Sequence, residues 1–141
     1  MTSSLTVLLL LMLLPMLVVA GIYGNGWLYA FLLAKLFHVR VRGPHRISWL
    51  PALATVGASI VLGLFYLLSE PAGDLALGLA TLVTSPLVVQ KFVPDESGMA
   101  IGGTPAWIAW AAVLAVNLVM ALAFGVVVFM LGIGGLAMLA R

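Results

Sequence analysis

Long apolar runs with few polar interruptions dominate the chain, at about residues 5–37, 47–69, 73–92 and 106–138. Apolar and polar residues do not alternate along these runs, so the pattern does not fit a transmembrane β-barrel. A segment in lipid must then satisfy its backbone hydrogen bonds as a helix. The pattern therefore predicts an all-α integral membrane protein, with residues 1–141 forming one domain of about four transmembrane helices.

The first apolar run is too long for a simple crossing. As an unbroken helix, Leu5–Phe37 would measure about 50 Å, against a hydrocarbon core of about 30 Å. Pro15 or Gly24-Asn25-Gly26 can bend such a helix. In the alternative interpretation, Leu5–Ile22 crosses alone and Trp27–Phe37 is a separate piece. We favour one long, bent helix that crosses once.

The other helix boundaries follow from local signals. The turn Glu70-Pro71-Ala72-Gly73-Asp74 separates the second and third runs, and Asp74 is expected to cap the third helix. Thr104 followed by Pro105 is typical of a helix N-terminus. The last run, from Ala106 onward, would measure about 52 Å as one helix, so the last segment is also expected to be overlong or kinked.

Composition supports lipid as the main solvent of this chain. Hydrophobic residues make up 65% and charged residues 7% of the sequence. A soluble domain carries roughly 25% charged residues. The chain contains no cysteine, which excludes disulfides and thiolate metal sites.

Cationic side chains concentrate between the first two runs, at Lys35, Arg40, Arg42 and Arg46, and Lys91 begins the loop after the third run. These are five of the six Lys and Arg residues. With four spans, the loops 35–46 and 91–104 lie on the same side. Because cationic loops stay in the cytoplasm, both loops are predicted to be cytoplasmic, in a bacterial or organellar inner membrane or a plasma membrane. The four cations of the first loop are also expected to contact anionic lipid headgroups. A nucleic-acid partner is not expected.

Small residues recur along the last run at Ala109, Val113, Asn117, Ala121 and Gly125. This spacing places them on one helix face, where small side chains allow close approach and an amide can bond across the contact. We predict that Asn117, Ala121 and Gly125 mediate helix packing. Two further small-residue faces comprise Ala54, Ala58, Ser59 and Gly63 in the second run, and Ala76, Ala80 and Thr84 in the third.

Hydrogen-bonding groups are densest in the third run, at Thr81, Thr84, Ser85 and Pro86. The hydroxyls, with the backbone carbonyl that Pro86 frees near Leu82, would make this helix a polar lining. A channel formed by several copies would place that lining at its centre.

The only two histidines, His38 and His45, flank Gly43-Pro44 in the basic loop. They lack the spacing of a metal pair, so they are interpreted as interfacial side chains, with contact to a haem or quinone edge as the alternative. No catalytic residues, cofactor or metal site are predicted, because no catalytic or phosphate-binding motif is present.

Three functions fit these features. The first is an accessory subunit of a respiratory, photosynthetic or transport complex, packed against partner helices and lipid. The second is a small homo-oligomeric channel or carrier lined by the third span. The third is a lipid-active membrane enzyme. The lack of any ionisable residue in mid-span argues against an ion-coupled carrier, and we favour the accessory subunit.

Overall fold

Four long α-helices make up the computed structural model, which describes residues 2–139, with the side chains of residues 4–135 and 138. The helices are α1 (Thr2–Phe37), α2 (Pro44–Leu62), α3 (Glu70–Phe92) and α4 (Gly103–Leu139), and a 3-10 turn, Gly63–Leu67, extends α2. Among the described residues there is no β-strand, only isolated β-bridges. The prediction of an all-helical chain is confirmed, and all four helices are long and apolar enough to cross a membrane.

The first helix is continuous over 36 residues. It runs through Pro15 and through Gly24-Asn25-Gly26 without a break, so the alternative of two separate pieces is wrong. Neither Gly24 nor Gly26 has a positive φ, and both therefore take ordinary helical backbone. Whether the helix crosses a membrane once stays a prediction.

Both α2 and α3 begin earlier than the sequence suggested. Pro44 occupies the first turn of α2, where its fixed φ favours helix and its missing N–H is not needed. The α3 helix starts at Glu70, and Ser69 caps it by accepting a hydrogen bond from the Ala72 N–H. The expected cap at Asp74 is therefore wrong. Asp74 lies inside the helix and accepts a hydrogen bond from the Tyr66 hydroxyl instead.

The start of α4 also differs slightly from the sequence expectation. Helix begins at Gly103, and the Ala106 N–H bonds to the carbonyl of Gly102. Thr104 therefore lies in the first turn rather than at the cap. Helix limits commonly shift by a residue or two, and Pro105 still occupies the first turn, where it is tolerated.

The buried core lies near one end of the bundle. Its members come from all four helices and from the segment before α4; they are Tyr29, Leu33, Ile47, Val89, Val93, Ile101, Ala106, Ala109 and Val113. The Tyr29 hydroxyl ties α1 to α4 by donating to the Ala106 carbonyl. This core fixes the relative rotation of the helices at that end.

Both interhelical connections meet at the same end as the core. Residues 38–43 and 93–102 pair through their backbones, with the Arg42 N–H 3.0 Å from the Pro94 oxygen and the Glu96 N–H 2.9 Å from the Arg40 oxygen. The shortened first connection leaves Lys35 in the last turn of α1 and Arg46 in the first turn of α2.

The two long helices run antiparallel, because Tyr29 meets Ala106 whereas Asn25 meets Asn117. The N-terminal part of α1 and the C-terminal part of α4 therefore leave the body at the end opposite the two connections. Residues 4–21 and 115–135 are exposed throughout, and nearly all are apolar.

Candidate functional site: a cavity between the helices

A cavity of about 340 Å³ lies between the helices, on the side of the core away from the two connections. All four helices contribute to its wall. The lining residues are Val18, Gly21, Ile22, Asn25, Gly26 and Tyr29 of α1, Ile47, Ser48, Pro51, Ala52 and Thr55 of α2, Thr81 and Ser85 of α3, and Trp110 of α4.

Helical spacing explains how these residues share one space. Gly21, Asn25 and Tyr29 are four residues apart on α1, and Thr81 and Ser85 are four apart on α3. Residues separated by four positions lie on the same helix face. The α1 and α3 helices thus each turn one face toward the cavity, whereas α4 contributes only Trp110 among the described residues.

Close approach of α1 and α2 forms one wall. A Cβ added at Gly26 would lie 1.9 Å from the Ser48 Oγ and 2.6 Å from the Ser48 Cα. Only glycine allows this contact, because any other residue would overlap the backbone of α2 as well as its side chain.

Most donors around the cavity are already used within the chain. The Ser48 hydroxyl donates to the Pro44 carbonyl over 3.1 Å, and the Thr81 hydroxyl donates to the Leu77 carbonyl over 3.0 Å. The Trp110 indole donates to the Leu82 carbonyl over 3.0 Å. That carbonyl is the one that Pro86 frees, four residues along α3. The hydroxyl oxygens of Ser48 and Thr81 can still accept a hydrogen bond, because each hydroxyl uses only its proton in these contacts.

Two hydroxyls of the lining residues have no hydrogen-bond partner among the described residues. The Thr55 Oγ1 is fully buried, and a buried hydroxyl without a partner costs about 1–3 kcal/mol. Ser85 is 4% exposed, and its Oγ is not among the fully enclosed unpaired atoms. Ser85 therefore places an unused hydroxyl beside the cavity, whereas the Thr55 hydroxyl is enclosed by protein atoms.

The polar lining predicted on α3 concerned a channel between several copies, and it stays a prediction. Within this chain, Thr81 and Ser85 line the cavity, whereas Thr84 is half-buried outside it and Pro86 is buried in packing. Asn25, Ser48 and Thr55 were not predicted for this site. The seven-residue interval from Ser48 to Thr55, two helical turns, places both on one face of α2 and was the sequence pattern that could have indicated them.

The small-residue face expected on α4 divides into two parts. Ala109 and Val113 are buried in the core. Asn117 is exposed, and its side-chain amide donates to the side-chain Oδ1 of Asn25 over 2.8 Å. Ala121 and Gly125 are exposed, and a Cβ at Gly125 would meet nothing within 4 Å. Packing by Ala121 and Gly125 therefore stays a prediction that requires another molecule.

The cationic side chains gather around the paired connections. Arg42 and Arg46 border a recess beside Pro94 and Gly43, and a second recess is lined by Lys35, His38 and Arg40 among others. Lys35 also lies 6.0 Å from the centre of the Phe31 ring, a cation–π contact. Binding of lipid headgroups by Lys35, Arg40, Arg42 and Arg46 stays a prediction.

The two histidines have different surroundings. The His45 Nδ1 lies 3.4 Å from the Tyr23 hydroxyl, which in turn accepts from the Trp49 indole. His38 directly follows the last residue of α1 and has a φ of 58°. Among the described residues, no group of three or more His, Cys, Asp or Glu side chains is arranged to hold a metal ion.

Asp95 organises the turn in the second connection. Its Oδ1 accepts from the Ser97 hydroxyl and from the Met99 N–H, the latter over 2.9 Å. The hydrogen bond from Ser97, with smaller contributions from backbone N–H groups, holds the pKa of the Asp95 carboxyl below its usual range. This carboxylate thus stabilises the segment that pairs with residues 38–43.

The described part of the chain has four helices whose length and composition are sufficient to cross a membrane, and these helices line the cavity. Comparisons with protein families, curated proteins and solved structures found no match for this chain.

Proposed function

We propose that this chain is an integral membrane subunit that packs against the helices of a larger complex. The observation that carries the proposal is the apolar surface of residues 4–21 of α1 and 115–135 of α4, which no other described residue covers. Leu14 and Leu131 illustrate it, with 66% and 71% of their surface exposed.

Helix length supports a protein neighbour at this surface. The α1 and α4 helices contain 36 and 37 residues, against 23 in α3. If α3 crosses the hydrocarbon core, the excess corresponds to about 20 Å of helix. Tilting accommodates part of such a mismatch. An apolar surface that still extends past the core would meet water unless another protein covers it.

The exposed amides give the same surface a polar anchor. Asn117 and Asn25 bond to each other, but each amide has more donors and acceptors than one bond uses. Both residues are exposed. In lipid, unused amide groups favour hydrogen bonds to a neighbouring helix. Ala121 and Gly125, further along the predicted packing face, would allow that helix to approach closely.

We further propose that the paired connections 38–43 and 93–102 face the cytoplasm and that their cations contact anionic headgroups. Five cations near one end of the bundle support this orientation. Labelling is unambiguous because the chain has no cysteine of its own. A cysteine at Val41 should resist an impermeant maleimide in intact cells and react after permeabilisation. Reaction in intact cells would overturn the orientation.

The cavity lies within one chain, and the buried core at Leu33, Val89 and Val93 lies between it and the two connections. This arrangement supports a binding site rather than a pore through a single chain. It does not bear on a channel formed between several copies.

Purification in a mild detergent followed by native mass spectrometry tests the subunit proposal. We expect the chain to be recovered with at least one other membrane protein. Adding Ala121→Leu and Gly125→Leu should reduce that recovery, because both introduce bulk into the predicted contact. Leu122→Ala, on another face of α4, is the control and should leave recovery unchanged. A stable monomer without partners would contradict the proposal.

A further inference from the structure

We propose that the cavity binds an uncharged lipid-like molecule through a carbonyl or hydroxyl head group. This inference concerns the interior of one chain and does not depend on the subunit role. The lining joins apolar side chains such as Ile22 and Ile47 to the unused hydroxyl of Ser85.

The hydrogen-bonding pattern specifies the head group. Ser85 has a hydroxyl proton to donate, which suits a carbonyl or hydroxyl oxygen of the ligand. Ser48 and Thr81 already donate to backbone carbonyls and can therefore accept from a ligand hydroxyl. Asn25 offers an amide N–H₂ beside them, while its oxygen accepts from Asn117.

The lack of charged side chains in the lining argues against an ionised ligand. No Asp, Glu, Lys, Arg or His is among the described residues that line the cavity. Transfer of an isolated charge from water into such surroundings carries a large penalty. An ion or a phosphate group is therefore not suited to this space, whereas a neutral head group with a few hydrogen bonds is.

Size and position support the same ligand class. A volume of about 340 Å³ lies at the lower end of the roughly 300–1,000 Å³ typical of small-molecule pockets. Val18 and Gly21 belong both to the lining and to the exposed apolar surface of α1. A ligand would thus enter from the apolar side of the bundle, with its tail left between the helices.

Two neutral probes distinguish the sources of such a head group. A short-chain benzoquinone supplies carbonyls, and dioctanoylglycerol supplies a hydroxyl with ester carbonyls. Dioctanoyl phosphatidate has the same acyl chains with an anionic phosphate and serves as the charged control. Binding to the purified full-length chain in detergent would be followed by Trp110 fluorescence, with Trp110→Phe as reference, and by the unfolding midpoint.

Gly21→Leu and Gly24→Leu form a matched pair of variants. Both glycines lie on α1, and a Cβ at either position would meet nothing within 4 Å. Only Gly21 lines the cavity. We expect Gly21→Leu to weaken binding of a neutral probe by at least about tenfold because its side chain would occupy the ligand volume, whereas Gly24→Leu should bind as the unmodified chain does.

Ser85→Ala tests the accessible hydroxyl. We expect binding to weaken by about two- to tenfold, since one hydrogen bond to the ligand is lost. Thr55→Val is the contrasting variant: its hydroxyl is enclosed, so binding should be unchanged, while the chain should unfold at a higher temperature because an unpartnered buried hydroxyl is removed.

The proposal is supported if one or both neutral probes saturate the fluorescence change and phosphatidate does not. It is overturned if neither neutral probe saturates the unmodified chain, if phosphatidate binds equally well, or if Gly21→Leu and Gly24→Leu bind alike. The subunit proposal would fail instead through the absence of partners in native mass spectrometry, so the two failures are distinguishable.

Discussion

Asn117 of α4 donates a side-chain hydrogen bond of 2.8 Å to Asn25 of α1 on the exposed surface of the bundle. The pair joins the two longest helices near the end of their covered portions. On one side of it, Ala109 and Val113 are buried, and on the other, residues 4–21 of α1 and 118–135 of α4 are exposed. This contact therefore lies close to the point where α1 and α4 leave the packed body.

Removing either amide should destabilise the bundle modestly. We expect Asn117→Ala to lower the free energy of unfolding in detergent by about 1 kcal/mol, because interhelical hydrogen bonds in membranes contribute about 0.6–2 kcal/mol. A double-mutant cycle with Asn25→Ala isolates the pair term. Strictly additive effects of the two changes would show that the bond contributes nothing.

Gly26 should be the least replaceable glycine of α1. Gly26→Ala places a Cβ within overlap distance of the Ser48 backbone and should destabilise by about 1–3 kcal/mol. Gly24→Ala, two residues away in open space, is the control and should be neutral or slightly stabilising through helix propensity. Equal unfolding midpoints for the two variants would refute the close contact.

Replacing His38 with glycine should stabilise the folded chain. Its φ of 58° lies in the left-handed region, which disfavours residues with a Cβ. His38→Gly is expected to raise stability by about 1 kcal/mol, and His38→Val, which is β-branched, to lower it. Thermal unfolding of both variants checks this, and a loss of stability with glycine would indicate that the imidazole has another role.

Acid should loosen the turn that Asp95 organises. Because the folded-state pKa of this carboxyl is lowered, its contribution is fully present above the ordinary Asp value of about 3.9 and is lost as the pH falls through the folded-state pKa. The Met99 N–H donates a hydrogen bond to Asp95. Hydrogen exchange at this amide should therefore accelerate as the pH falls through that range. Asp95→Asn should accelerate it at neutral pH, whereas Glu96→Gln should not. Unchanged exchange in Asp95→Asn would exclude this role.

Much of the fold was predictable from the sequence because long apolar runs leave few alternatives to helix. The helix starts that the sequence did not predict have local causes. Pro44 and Pro71 are favourable in the first turns of α2 and α3, and Ser69 rather than Asp74 caps α3. Proline and glycine suggested breaks in α1, yet the structure continues the helix through Pro15 and Gly26.

The cavity was predictable only in part because it depends on how several helices rotate against one another. Thr81 and Ser85 stand out on α3 by composition alone. Asn25 lies between two glycines, where the sequence suggested a bend in the helix, so its place on the same face as Gly21 and Tyr29 was not predicted. No sequence pattern shows that Thr55 would be buried without a partner.

Photo-crosslinking in native membranes tests the subunit proposal most directly. A single cysteine at Gly125, on the projecting part of α4, would carry a benzophenone maleimide, and a cysteine at Val56, exposed on α2 within the body, would be the control. The account predicts a discrete adduct with another membrane protein at position 125, and mainly lipid adducts at position 56. Only lipid adducts at position 125, or only adducts of this chain with itself, would contradict it.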